Sequence, residues 1–442
     1  MRDLIVLLFL AAGMGAAFWR PWLGVLALAV FSYLNPHAYA WGFMVSFPAY
    51  QILFLAVLVA LIKTKDRQPM PDDWRVTAFF LLWLYFLLTT FNAKVPGAAW
   101  PKLIEVSKIY LPFIFTLLLI NTREKLFYLI ITIATSFGLI AAKGGIWAIG
   151  SGFGHRVYGP PHTQFAENNA FAIAILMNIP LLILWYRQNT NQWIRYGLMA
   201  VIPLSMAAAL SSWSRGALLT LGVTVVVLIW HSKRKYLAIP LFAIGIFMAA
   251  GQLPEEWYGR MHTIETYEED ASAQARLTTW SDGFHYALAH PFLGAGFNGW
   301  MYVTISDWHS SYIEIMAEHG LIAFFIWLLL LFGTIISLTR LPVLTRKFPE
   351  MAWVKDYCYM LRASLIAYSV GTIFLGLAYW DIFYHIVFIS VLVKKFALEE
   401  LAERKAGEKK KSQNSFGRLY PPNRALQSPR LPNIGQPQHT PE

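Results

Sequence analysis

The chain has 442 residues, of which 57% are hydrophobic, 16% aromatic and only 14% charged, a balance foreign to a soluble domain that must cover itself with polar surface. The net charge of +11 does not point to nucleic acid, because the basic residues form short clusters between apolar runs plus a basic C-terminal stretch, the distribution that orients membrane helices. The lone cysteine, Cys358, excludes an intramolecular disulfide and a cysteine-based metal site.

About thirteen apolar runs are long enough, or nearly so, to cross a bilayer: 3–18, 22–35, 48–62, 75–92, 103–120, 126–142, 168–186, 194–211, 216–230, 236–251, 319–338, 358–378 and 382–394. The expected fold is therefore an all-α polytopic transmembrane bundle of about 12–13 helices. The first run ends in Phe18-Trp19-Arg20-Pro21, which is no small-residue cleavage site, so it is expected to stay as a helix. Lys63, Lys65, Arg67 and Arg75, then Arg123 and Lys125, Arg187 and Arg195, Lys233 to Lys235, and Arg340, Arg346, Lys347 and Lys355 fall in alternate connections, which the positive-inside rule makes cytoplasmic. Thirteen crossings put the N-terminus outside; a re-entrant first hairpin leaves 12 or fewer. Residues 1–398 read as one membrane domain, and 399–442, basic and then rich in Pro, Asn and Gln, as a disordered cytoplasmic tail.

The opposite-side connections are the informative ones: about Lys143 to Asn169, the tight turn Ser214-Arg215-Gly216, and about 252–317. The last is too polar to span and too long to be idle. Within it Leu277, Trp280, Phe284 and Leu288 recur at helical spacing, so an amphipathic helix is expected over Ser272–Ala289. His290-Pro291 ends it and Gly294-Ala295-Gly296 turns the chain.

Arg215 stands on the side where arginine is disfavoured. It reads either as a side chain snorkelling to headgroups or as a guanidinium forking onto phosphate or carboxylate. Arg276 is on the amphipathic helix with Trp280 one turn on, able to cover a site, and Arg156 is a third outward arginine; both are open to the same two readings. His309, where the long connection re-enters the membrane, is the side chain suited to exchange a proton near neutral pH, though a structural loop histidine is the plainer alternative. Tyr312 shares a helical face with it, and Glu318 is placed to cap a helix or orient a partner. His319 is badly spaced for a shared zinc site. Glu265, Glu268, Glu269 and Asp270 read as solvated surface rather than a carboxylate pair for glycoside chemistry. No P-loop and no Gly-x-Ser-x-Gly elbow occurs, which removes support for ATP hydrolysis and serine-hydrolase chemistry.

The order Arg156 loop, Ser214-Arg215-Gly216, Arg276-x-x-x-Trp280, Pro291-Phe-Leu-Gly-Ala-Gly296 and His309-Ser-Ser-Tyr312 to Glu318-x-Gly320 resembles the O-antigen ligase and Wzy-type polymerase superfamily, from Met1 to about Phe396. Met1-Arg2-Asp3-Leu4, Tyr33-Leu34-Asn35-Pro36-His37 and Trp41-Gly42-Phe43 resemble its exosortase-associated O-glycosylation ligases. The resemblance implies a GT-C-like, metal-independent, inverting glycosyltransferase of the bacterial inner membrane, with no cofactor and a periplasm-facing site. Its donor would be an undecaprenyl-pyrophosphate-linked glycan, its acceptor a lipid, protein or polysaccharide hydroxyl. His309, Arg215 and Arg276 would be catalytic, with Arg156, Trp280, Tyr312 and Glu318 completing the substrate-binding set. Ser310 stands where the ligases commonly carry asparagine. A Wzy-type polymerase is the nearest alternative, and a lipid-linked glycan transporter, which would hold its ionisable groups near the midplane, a more distant one.

Overall fold

The computed structural model describes residues 1–232, 234–262 and 271–419; Lys233 and the acidic run Glu265, Glu268, Glu269 and Asp270 lie outside the described residues. All regular structure among the described residues is helical, as lipid demands of a chain whose backbone must satisfy itself. In chain order the helices are α1 (Arg2–Trp19), α2 (Pro21–Tyr33), α3 (Ala49–Lys63), α4 (Trp74–Phe91), α5 (Pro96–Leu119), α6 (Arg123–Gly150), α7 (Asn168–Gln188), α8 (Gln192–Leu210), α9 (Arg215–Trp230), α10 (Lys235–Ala250), α11 (Glu255–His262), α12 (Ala271–Ala289), α13 (Trp300–Val303), α14 (Ser311–Leu344), α15 (Ala352–Gly371) and α16 (Asp381–Leu419). Each of the thirteen apolar runs falls on one of them.

By length and composition α1, α4, α6, α7, α8 and α14 can each cross a membrane, α10 and α11 form a pair bent by 110°, and α2, α3 and α9 are shorter apolar helices. The protein is a multi-pass membrane helical bundle. Two units are distinguished, Met1–Phe396 and Ala397–Glu442. In the second, an Arg404 to Glu400 ion pair at 2.7 Å lies one helical turn apart, and helix is described as far as Leu419.

Contacts sort the connections of the first unit into two sides. On the basic side Asp73, the N-cap of α4, accepts from Arg75 Nε at 2.7 Å, Arg75 Nη2 at 2.9 Å and Lys394 Nζ at 2.9 Å; Arg75 is wholly buried. Lys125 pairs with Asp66 at 3.0 Å and Arg187 with Asp356 at 3.3 Å on the same side. On the opposite side Lys94 N–H donates to the Ala295 carbonyl and Ser311 N–H to that of Thr372.

The core is built around α7, flanked by α6, α8, α9 and α15. Without a hydrophobic force between helices in lipid, small residues and polar bonds draw them together. A Cβ on Gly145 of α6 would lie 2.1 Å from the Leu204 carbonyl oxygen of α8, so only glycine permits that approach. Asn178 of α7 donates to the Ala134 carbonyl at 3.1 Å. In the long outer connection α12 matches the expected amphipathic helix to within one residue. Several boundaries differ: α5, α14 and α15 each begin six or more residues before the apolar run, α15 ends at Gly371, and α6 runs to Gly150, since the small-residue stretch beyond Lys143 continues as helix against α8.

Candidate functional site

Gly320 breaks α14 with φ of 77°, a left-handed conformation that glycine adopts at no steric cost. The break leaves helix carbonyls without their usual partners, and the 291–296 segment fills them. Ala295 N–H donates to the Ala317 carbonyl, Gly296 N–H to that of Glu318, and Leu321 N–H to that of Pro291, at 2.7–2.9 Å. Gly296 takes φ of 81° where a Cβ would lie 2.4 Å from that of Ala93. The Pro-Phe-Leu-Gly-Ala-Gly stretch is thus a main-chain clamp that fixes the start of α14.

The residues before α14 rest on that clamp. Trp308 is fully buried and donates its indole N–H to Glu318 Oε1 at 2.9 Å; Glu318 Oε2 accepts from the Tyr379 hydroxyl at 2.6 Å. His319 lies 2.9 Å from that hydroxyl and 2.6 Å from Thr89 Oγ1. His309, next to Trp308, is partly exposed and held at φ of 46°, uncommon for a residue with a side chain. Ser311 fastens the helix start to the segment after α15, donating to the Leu375 carbonyl and accepting from Leu377 N–H.

Arg215 is the first residue of α9, whose N-cap, Ser214, accepts from Ala217 N–H at 3.2 Å. The turn before it is held on several sides: Trp213, at φ of 57°, donates its indole N–H to the Phe153 carbonyl, Ser211 Oγ donates to that of His155, and Asn168 Nδ2 to that of Ser212. A helix N-terminus with its N–H groups and dipole favours an anion. Arg156 extends over the Trp213 ring at 5.7 Å, and Arg260 Nε donates to the Trp213 carbonyl at 2.8 Å.

On α12, Ala273, Arg276, Leu277 and Trp280 recur at positions that share one helical face, and they form a wall of a cavity of about 780 Å³ whose other walls are α9 and Phe374. Arg215 and Arg276 both line it. From Arg215 the α9 wall continues apolar through Leu218, Leu219, Val223, Val226 and Val227, about 18 Å of helix at 1.5 Å per residue. Trp280 donates its indole N–H to the Trp308 carbonyl at 2.9 Å, which sets His309, one residue on, beside the cavity's aromatic end.

The structure therefore brings Arg215, Arg276 and Trp280 into one cavity lining; His309 and Arg156 are outside that lining, His309 following Trp308, whose carbonyl accepts from Trp280, and Arg156 lying over Trp213 of the turn that carries Arg215. Tyr312 and Glu318 are not in the cavity lining: the Tyr312 hydroxyl donates to the Ser369 carbonyl at 2.8 Å, and Glu318 is buried with both oxygens engaged beneath Trp308. Sequence reasoning missed Arg260, Phe374 and Tyr379. The positive-inside argument could have found Arg260, another arginine opposite the basic connections; the other two lie some sixty residues or more beyond their partners with no local signal. Among the described residues no three of His, Cys, Asp and Glu gather as metal ligands.

No curated protein matches the chain. Residues 1–191 match a family of unknown function (DUF5935), and residues 198–328 match the O-antigen ligase family. The second match takes in α9, α12, the clamp and His309, so the segment that builds the arginine-lined cavity is similar to the O-antigen ligase family.

Proposed function

We propose that the chain transfers a glycan from an undecaprenyl-pyrophosphate carrier to an acceptor hydroxyl, at the periplasmic face of the bacterial inner membrane. The observation that carries this reading is the cavity itself: Arg215 and Arg276 line a trough whose α9 wall is apolar, a combination suited to an anionic head joined to an isoprenoid tail. Arg215 and Arg276, helped by Arg156, hold the pyrophosphate through bidentate, charge-assisted bonds. As the bond between the sugar C1 and the phosphate oxygen breaks, its electron pair stays on the lipid pyrophosphate, where those cations stabilise it. His309 takes the proton of the acceptor hydroxyl while the acceptor oxygen bonds to C1 from the opposite face, inverting the anomeric centre; water then removes the proton.

The periplasmic placement rests on the basic connections facing the cytoplasm, and the exosortase-associated branch on the opening stretches of the chain alone. A polymerase that uses a second lipid-linked glycan as acceptor requires the same cavity and is the second reading. Purified protein in liposomes, given lipid-linked glycan and acceptor without nucleotide, is expected to release free undecaprenyl pyrophosphate and glycosylated acceptor. Movement of the glycan across the bilayer with no covalent product would replace transfer by transport.

A further inference from the structure

A second cavity, of about 250 Å³, lies on the same side of the first unit, between α2, α5 and the start of α16. Its chemistry differs from that of the arginine cavity. No arginine lines it, and its innermost charged group is Asp381, 7% exposed, which accepts from Ser32 Oγ at 2.6 Å. Beside it the buried Tyr33 hydroxyl and His385 Nδ1 are 2.8 Å apart. At the mouth stand Glu105 and Lys108, both exposed, with Glu105 paired to Lys102 at 3.1 Å.

Two polar atoms of the lining are unexplained by the protein. Asn35 Oδ1 and His37 Nδ1 are buried with no hydrogen-bond partner, a state that costs free energy unless something else satisfies them. Burial holds the His37 imidazole below its ordinary value, so it is uncharged near neutral pH. Around these groups the rings of Phe31, Phe113 and Phe165 supply apolar walls, and Gln164 adds an amide at the mouth.

An inorganic phosphate would meet the Asp381 carboxyl with no guanidinium to balance it, and a simple cation would meet Lys108 at the mouth. What such a lining satisfies is a neutral ligand with several hydroxyls around a carbon ring, donating to Asn35 and Asp381, bonding to Gln164 and laying its C–H faces on the aromatic rings. The volume, below the roughly 300–1,000 Å³ of drug-sized sites, admits one such ring. We infer that this cavity binds a single neutral sugar ring, at a site separate from the arginine-lined cavity.

Two segments join the sites. The stretch 151–167 carries Arg156 near one end and Gln164 and Phe165 near the other, and the stretch 372–381 runs from Phe374 in the wall of one cavity to Asp381 in the other. The inference does not depend on glycosyl transfer and is tested by binding alone. The full chain in lipid nanodiscs is probed by saturation-transfer NMR with glucose, galactose, mannose and N-acetylglucosamine, each also as its methyl glycoside. Sodium phosphate and tetramethylammonium serve as charged probes.

At least one sugar is expected to bind. Binding of the methyl glycosides would identify the ring as one end of a linked glycan, and binding of the reducing sugars alone would identify a free sugar; either supports the site. Gln164→Ala, at an exposed position, and Asn35→Gly, which keeps the left-handed turn at φ of 54° while removing the amide, should each weaken that binding about tenfold. Arg215→Ala should leave it unchanged. If no sugar binds, if only the charged probes do, or if sugar affinity survives Gln164→Ala and is lost with Arg215→Ala, the site is not here.

Discussion

Arg75 and the pair Arg215 and Arg276 are the same residue type on opposite sides of one bundle, put to different use. Arg75 is wholly buried, and Asp73, two residues away, meets it with both carboxylate oxygens while Lys394 joins from α16. Arg215 and Arg276 are partly exposed and line two walls of one cavity. A buried charge persists only when it is paired. Arg75, met by Asp73, serves the fold; Arg215 and Arg276, which line a trough, are the residues we propose to hold a ligand. The two regions should thus respond oppositely to substitution, stability failing on one side and turnover on the other.

The sharpest break is His309→Ala. Transfer in reconstituted liposomes should fall by about 10²–10⁴-fold, the usual worth of a general base, with the unfolding midpoint unmoved; wild-type turnover would take the imidazole out of the mechanism. Next is Asp73→Asn, which strands the buried Arg75 and should cost about 3–5 kcal/mol in denaturant titration with transfer per folded molecule unchanged. If activity falls and stability holds, the lock has been misassigned.

Arg215→Lys and Arg276→Lys keep the charge and lose the fork, and each should lower kcat by about 10²-fold without a change in unfolding. Full activity in both would end the pyrophosphate clamp. A gentler probe is acid. Burial alone would push the Asp73 carboxyl up, but the hydrogen bonds and charge of Arg75, with Lys394, outweigh it and hold it down at about 2. A depressed carboxyl contributes stability that is fully present above its unfolded value near 4 and is lost as pH falls through about 2. Wild type should therefore lose stability between pH 4 and pH 2 by a step that Asp73→Asn lacks. The smallest effect belongs to Trp280→Phe, which removes the bond to the Trp308 carbonyl and should cost about 1 kcal/mol, read as a several-fold drop in turnover.

Periodicity carried most of the helical framework: the thirteen apolar runs fall on helices, and α12 was visible in the spacing of Leu277, Trp280, Phe284 and Leu288. What it could not reveal is which helices lie inside. α7 and α10 are both mostly apolar, yet 15 of the 21 residues of α7 are buried and α10 has no buried residue; in lipid, apolarity alone does not select the interior. The cavity was legible only as a set of outward arginines. Its walls come from pairings such as Trp280 with Phe374, 6.2 Å apart between ring centres, and Glu318 with Tyr379, made by segments far apart in the chain. Tyr312 and Glu318 lie close to His309 in sequence, but their partners, the Ser369 carbonyl for one and Trp308 and Tyr379 for the other, could not be read from it.

The join between the 291–296 segment and the break in α14 is made of peptide groups, through the amides of Ala295, Gly296 and Leu321. Such a seam is indifferent to the side chains of Phe292 and Leu293, both exposed, so that rim can change its outer texture freely while its backbone stays fixed. Hydrogens on those three amides should then exchange with solvent slowly and together, as one cooperative block, and a bulky side chain at Gly294 or Gly320 should release all three at once.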